Sequence, residues 1–214
     1  MAEIKSEMNW TPWGIFILVV LHAVGLVGIL WFNQDLFARL TPLVLLISAI
    51  LIFASQKGNR QGLLVFFILA YLIGYGIEFM GTSTGIPFGK YQYGPNMAPL
   101  LLDVPLIIGV NWFLLAVGAA WWSQSIFTGL FGRALATATL MTVFDFLMEP
   151  VAITLNFWHW EALYPPLQNY LAWFGVSFLL ALLGHKVLFI YPNKLGAYYF
   201  GIVTAFFVIL NLAL

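Results

Sequence analysis

Three carboxylates stand within or at the end of strongly apolar runs: Glu78, Asp145 and Glu149. An acid at membrane depth is costly, so each one marks a functional site by default. Asp145 and Glu149 are spaced i, i+4, which places both on one face of a helix. Two carboxyls that close together in a low dielectric resist ionising together, so one of them is expected to hold a proton. Pro150 follows at once and removes a backbone donor. The helix is expected to kink there and free the carbonyl of Phe146. Tyr71, Tyr75 and Glu78 are spaced i, i+4, i+7 on one face, and a tyrosine hydroxyl one turn away is expected to orient the carboxyl. Such a set suits proton transfer, with a neutral carboxyl as general acid and a carboxylate as base. Plainer readings stand beside this one. Glu78 alone would reach toward headgroups, although a short Glu snorkels less well than Lys. Either acid of the pair would also satisfy an open helix turn, or pair with Arg133 about three turns away.

Two aromatic segments adjoin these acids. Residues 81–94 run Gly-Thr-Ser-Thr-Gly-Ile-Pro-Phe-Gly-Lys-Tyr-Gln-Tyr-Gly, too apolar for a solvent loop and too broken for a helix. Irregular backbone near membrane depth is tolerated only against protein or a cavity. The second segment runs Asn156-Phe157-Trp158-His159-Trp160 and on through Tyr164-Pro165-Pro166 to Asn169, Tyr170 and Trp173. Interfacial Trp and Tyr account for part of this; His159, Asn156 and Asn169 beside the acids are not explained that way. His159 reads either as a proton shuttle at neutral pH or as a structural residue. Asp103 before Val104-Pro105 reads as a helix cap, more readily than as a catalytic group. His22, mid-span, reads as structural, and His185 with Lys186 marks a helix end.

The elements that must position these groups follow from composition. The chain has 214 residues, 63% hydrophobic and 7% charged, against about 25% charged in soluble domains. Its mean hydropathy is +0.98. We expect an all-α, polytopic membrane helix bundle, a single membrane-embedded domain over 1–214 with the lipid bilayer as solvent. Seven apolar stretches fall at 13–32, 40–54, 62–80, 101–122, 133–154, 170–190 and 196–213. The second is short for a span of about 20 residues. Breaks are expected at Asn33-Gln34-Asp35, at residues 56–60 and at Tyr191-Pro192-Asn193. Residues 1–12, with Glu3, Lys5 and Glu7, precede a full-length span, so we expect an uncleaved anchor. Lys5, Lys57, Arg60, Arg133, Lys186 and Lys194 fall on the side of the N-terminus, and only Arg39 and Lys90 on the other. The chain is therefore expected N-in and C-out in the cell membrane. The acids Asp35, Glu78, Asp103, Asp145, Glu149 and Glu161 gather toward the outer leaflet, where an acid-lined, aromatic-walled pocket is expected.

Other classes are set aside. Zero net charge gives no sign of a nucleic-acid partner, and the lack of cysteine excludes thiolate chemistry. Metalloprotease, Walker, dinucleotide and nucleophile-elbow motifs are absent. No two histidines lie at ligand spacing, so no metal is expected. A retinal protein needs a mid-membrane lysine, and every lysine here lies in a terminus or connection.

The pattern Glu78…Gly81-Thr82…Thr84-Gly85…Pro87-Phe88-Gly89…Tyr91…Tyr93, Val104-Pro105…Trp112, Asp145…Glu149-Pro150-Val151-Ala152…Trp158…Trp160, Pro166…Asn169-Tyr170…Trp173 resembles the integral-membrane carotenoid hydratases. The resemblance covers roughly residues 71–175. Two positions depart from the family pattern: Asp103 stands where Gly is expected, and Glu149 where Asp is more usual. The resemblance implies that water adds across the terminal C1′,2′ double bond of an acyclic (ψ) carotenoid end group, giving a tertiary alcohol without a cofactor. It implies a substrate similar to lycopene or γ-carotene. Such hydration needs a proton donor, a stabilised tertiary carbocation and a positioned water. Asp145, the deepest acid, is expected to donate, Glu149 to partner it, and Glu78 to orient water as base. Tyr71, Tyr75, Phe88, Tyr91, Tyr93, Trp112, Trp158, Trp160, Asn169 and Trp173 are expected to bind substrate, the aromatic faces stabilising the cation. The rival enzyme is a membrane-type lycopene cyclase, which starts with the same protonation. Outside enzymes, the alternatives are a carotenoid- or lipid-binding protein and a proton-coupled transporter.

Overall fold

A computed structural model describes residues 9–187 and 193–214. The polar stretch holding Glu3, Lys5 and Glu7, and the turn expected at Tyr191-Pro192, lie outside the described residues. Helix α1 (Trp10–Val27) starts under the Asn9 side chain, which accepts from the Thr11 amide. It ends in a π-turn (Gly28–Phe32), then α2 (Gln34–Ala38) and α3 (Thr41–Ser55) follow. The short second span is thereby lengthened, because Gln34–Ser55 forms a 22-residue candidate span. Helix α4 (Arg60–Thr84) begins under Asn59, which accepts from the Gly62 amide. It continues past the expected end at residue 80, so Glu78 sits inside the helix. Thr82 and Thr84 return their hydroxyls to the Phe79 and Met80 carbonyls, and Gly85, with φ of 76°, stops the helix in the left-handed region.

The expected fourth span starts late. Helix α5 spans Ile108–Ile126, and before it β2 (Leu100–Leu101) and β3 (Val104–Pro105) form a hairpin. The segment between α4 and this hairpin holds β1 (Tyr91–Tyr93). The Asp103 helix-cap reading is therefore corrected. Leu102 and Asp103, with φ of 52° and 62°, are the two-residue turn of the hairpin. Two positive φ angles in a row fit the strand twist, and Asp is among the residues that tolerate them. Helix α6 (Leu130–Thr154) runs through Pro150 as one helix. After β4 (Trp158–Trp160), helices α7 (Leu167–Val187) and α8 (Lys194–Ala213) complete the described chain.

Among the described residues, six helices are long and apolar enough to cross a membrane. The remaining long helix, α5, is the centre of the bundle. It packs against α4, α6 and α8, and also α3 and α7. Screened from lipid on most sides, it tolerates the buried polar groups Asn111 and Ser123. At Gly118 it meets α8 so closely that an added Cβ would lie 2.6 Å from the Gly196 carbonyl oxygen. Small residues are what let helix backbones approach this far in a membrane.

The two ends of the bundle differ. At one end Asn193 donates to the Ile52 carbonyl and to Gln56, tying the α3–α4 turn to the start of α8. Lys57, Arg60 and Lys194 lie in these same segments. At the other end, buried Asn96 donates to Asp35 and to the Leu155 carbonyl and accepts from Arg39. That junction fixes the connections that roof the acid-bearing end.

Candidate active site

The two aromatic connections pair as an antiparallel ribbon of β1 and β4, with Tyr91 opposite Trp160, Gln92 opposite His159 and Tyr93 opposite Trp158. The Gly94 amide donates to Phe157 O (2.8 Å) and the Glu161 amide to Lys90 O (3.0 Å), extending the pairing at both ends. Gly94 is required here, because a Cβ would meet the Asn156 carbonyl oxygen at 2.1 Å. Strand side chains alternate between faces. Tyr91, Tyr93, Trp158 and Trp160 therefore face inward, while Gln92 and His159 face out. An outward His159 cannot shuttle protons inside the bundle, which corrects that reading. His159→Ala is expected to leave the activity of the buried site within about twofold of wild type, since exposed substitutions away from structural features are nearly neutral. Loss of activity in membranes carrying equal amounts of the variant would contradict this placement.

Beneath the ribbon lie the three acids, Glu78 at 4%, Asp145 at 0% and Glu149 at 2% exposure. Each is held by different donors. Glu78 Oε2 accepts from the Tyr91 hydroxyl and from the Tyr93 hydroxyl (2.7 Å), and its Oε1 accepts from Trp112 Nε1 (3.0 Å). Glu149 Oε2 accepts from Trp158 Nε1 (3.0 Å) and Trp160 Nε1 (2.8 Å). Asp145 Oδ2 accepts from Asn169 Nδ2 (2.7 Å), while its buried Oδ1 has no partner among the described residues. Burial, and then the adjacent Glu78 carboxylate, push the Tyr91 and Tyr93 phenols up, so both remain hydrogen-bond donors at neutral pH.

Local sequence explains this placement. Gly81 leaves room on α4 for the aromatic lid, since a Cβ there would lie 2.8 Å from Phe88 and 2.9 Å from the Tyr91 hydroxyl. Gly74 does the same for Trp112, whose ring a Cβ would meet at 2.6 Å. Trp112 in turn stacks on Trp173 at 4.1 Å between centroids, clamping α5 to α7. Asp145 and Glu149 share a face of α6, as their spacing requires.

The acids line one cavity with Phe88, Tyr91, Tyr93, Trp158, Trp160, Asn169 and Trp173. Its volume is about 20 Å³, enough for about one water, which needs roughly 10–15 Å³. Trp112 stands behind it, donating to Glu78 and stacked on Trp173. Tyr71 and Tyr75 depart from expectation. Their hydroxyls donate to the Leu106 carbonyl (2.8 Å) and the Leu101 carbonyl (2.6 Å), anchoring the β2–β3 segment to α4. Tyr75 lies about 60° around the helix from Glu78, and its hydroxyl is taken by the Leu101 carbonyl of β2. Ile108, Asn111 and Met148 also line the cavity and were missed. Asn111 carried a usable signal, as an amide inside an apolar run. Arg133 donates to the Phe127 carbonyl and does not pair with either acid. Among the described residues there is no cluster of metal-ligating side chains.

Fold and site together define a membrane helix bundle with a buried, acid-lined cavity at one end. Residues 39–212 match the family described as carotenoid biosynthesis protein, and the chain belongs to that family. It is 36% identical over 126 residues to bisanhydrobacterioruberin hydratase of Haloarcula japonica, covering 54% of this chain. The matched part is 41% of that relative's length, so the chain spans under half of the protein it resembles. No solved structure matches the chain.

Proposed function

We propose that this chain is a cofactor-independent carotenoid hydratase, a single membrane-embedded domain over 1–214 lying N-in and C-out in the cell membrane. Its substrate is an acyclic end group like that of lycopene or γ-carotene, and its co-substrate is water. The observation that carries this reading is three buried carboxyls around a cavity with room for about one water.

The donor pattern divides the roles. Carboxylates surrounded by N–H and O–H donors are stabilised as anions, and Glu78 and Glu149 are so surrounded. Asp145 has one donor and one open oxygen, the natural place for a proton. Asp145 Oδ1–H protonates the CH carbon of the terminal double bond, leaving a tertiary cation on the neighbouring carbon and a carboxylate on Asp145. The inward faces of Tyr91, Tyr93, Trp158 and Trp160 stabilise that cation through their quadrupoles. Water adds to the cation and loses its proton to a carboxylate, and proton exchange restores Asp145. Both donors to Glu149 fall on Oε2, so its Oε1 is the better acceptor. Glu78, with three donors, is better suited to orient the water. This moves the base role from Glu78 to Glu149.

The test is expression of the full chain in a host that accumulates lycopene or γ-carotene, grown in water enriched in ¹⁸O. A more polar pigment, heavier by one water and carrying the label, is expected. A ring-containing isomer with no added mass would indicate a cyclase. Unchanged pigments despite verified membrane insertion would overturn the proposal.

A further inference from the structure

A second cavity adjoins the acid-lined one. It measures about 170 Å³ and shares Ile108, Asn111, Met148 and Trp158 with it as a common wall. The rest of its lining is almost entirely apolar and comes from α1, α3, α6, α8 and the connections beside them. His22 is the basic group on that lining, and its Nδ1 is tied to the Leu18 carbonyl at 2.8 Å. Three lining residues are also exposed on the outside of the bundle: Val24 on α1, Leu40, and Leu43 on α3. The cavity therefore opens between α1 and α3. Both belong to candidate membrane spans, so the opening faces acyl chains.

Size then decides what fits. A cavity of about 150 Å³ lined by aliphatic and aromatic side chains accepts a guest the size of benzene. A long polyene cannot be enclosed in a space only slightly larger. We infer that this cavity seats only the terminal one or two isoprene units of a linear isoprenoid, which enter sideways from the bilayer between α1 and α3. The remaining chain stays in the lipid. This rests on the hydratase reading and adds its substrate rule: the protein recognises a free isopropylidene end, and neither chain length nor the far end matters. Met148 and Trp158 line both cavities, so a chain end in the larger one lies one side chain away from the acids and the water.

The test uses the purified full chain in phosphatidylcholine nanodiscs, with lycopene (forty carbons) and squalene (thirty carbons) as probes. Both carry the same end group. Hydration of the two with kcat/KM within about fivefold is expected. Val44→Trp, which fills the cavity from α3, is expected to lower kcat/KM by tenfold or more for both. It is also expected to abolish energy transfer from protein tryptophan to bound lycopene. Gly25→Leu narrows the cavity from α1, where the Phe206 ring is the nearest neighbour at 3.4 Å, and replaces Val44→Trp should that variant not fold. Wild type that hydrates lycopene but not squalene, or cavity variants that hydrate normally, would overturn the inference while leaving the hydratase reading intact. Wild type that turns over neither probe, yet binds lycopene in a manner lost in the cavity variants, would support the seat and sink the hydratase reading.

Discussion

Asp145→Asn is expected to cut pigment hydration by roughly 10²–10⁴-fold, the usual contribution of a positioned general acid, with a drop in thermal midpoint of several degrees at most. The replacement has the same shape. Its amide oxygen accepts from Asn169 Nδ2 as Oδ2 does now, at 2.7 Å. What disappears is the transferable proton on the one carboxyl oxygen that has no protein partner among the described residues. The new amide N–H₂ would take that place, costing about 1–3 kcal/mol if left unsatisfied. Conversion assayed in isolated membranes, beside a melting curve of the detergent-solubilised protein, separates the two effects. Activity near wild type would remove Asp145 from the role of donor.

Glu78→Gln is expected to lower stability by about 1–3 kcal/mol, the cost of leaving a buried donor without its acceptor. Three donors converge on that carboxylate, from the Tyr91 and Tyr93 hydroxyls and the Trp112 indole. A glutamine offers one oxygen and places its own N–H₂ against the rest. The tyrosine hydroxyls can turn and accept, but the indole of Trp112 is donor only. Since these donors sit on β1 and α5, the β1–β4 ribbon should loosen as well. A lowered melting temperature and faster proteolysis within residues 85–107 are the measurements. Tyr91→Phe and Tyr93→Phe should each cost less, and their sum should differ from the double variant, because they share one acceptor. An unchanged melting temperature in Glu78→Gln would mean that the network holds nothing together.

Much of the site was legible because its signals are local. Asp145 and Glu149 announce themselves by charge in an apolar run and by helical spacing, and both come to one cavity wall. Tyr91, Tyr93, Trp158, Trp160, Asn169 and Trp173 reach the same cavity. The misreadings share a cause. Helix periodicity pairs Tyr75 with Glu78, but its hydroxyl is taken by the Leu101 carbonyl of β2, 26 positions away. Asp103 before Val104-Pro105 looks like a helix start. Pairing of Leu101 with Val104 instead turns the chain back on itself. His159 lies near the acids in sequence, yet pairing with Gln92 points it outward.

Helix α5 shows the same limit from the other side. The hairpin before it, residues 100–106, is nearly as apolar as the helix itself. Hydropathy alone therefore places its start too early, inside a hairpin.

By itself the sequence determined the solvent, the number of apolar segments, which acids are costly enough to need a reason, and the family. These follow from composition and from periodicities of a few residues. The tertiary structure alone decided which donors each carboxyl receives, which way the ribbon faces, and that a one-water cavity shares a wall with a larger apolar one. Those depend on contacts between residues such as Glu78 and Trp112, or Tyr91 and Trp160, that lie far apart in the chain. No local pattern records such contacts; they exist only once the helices have packed.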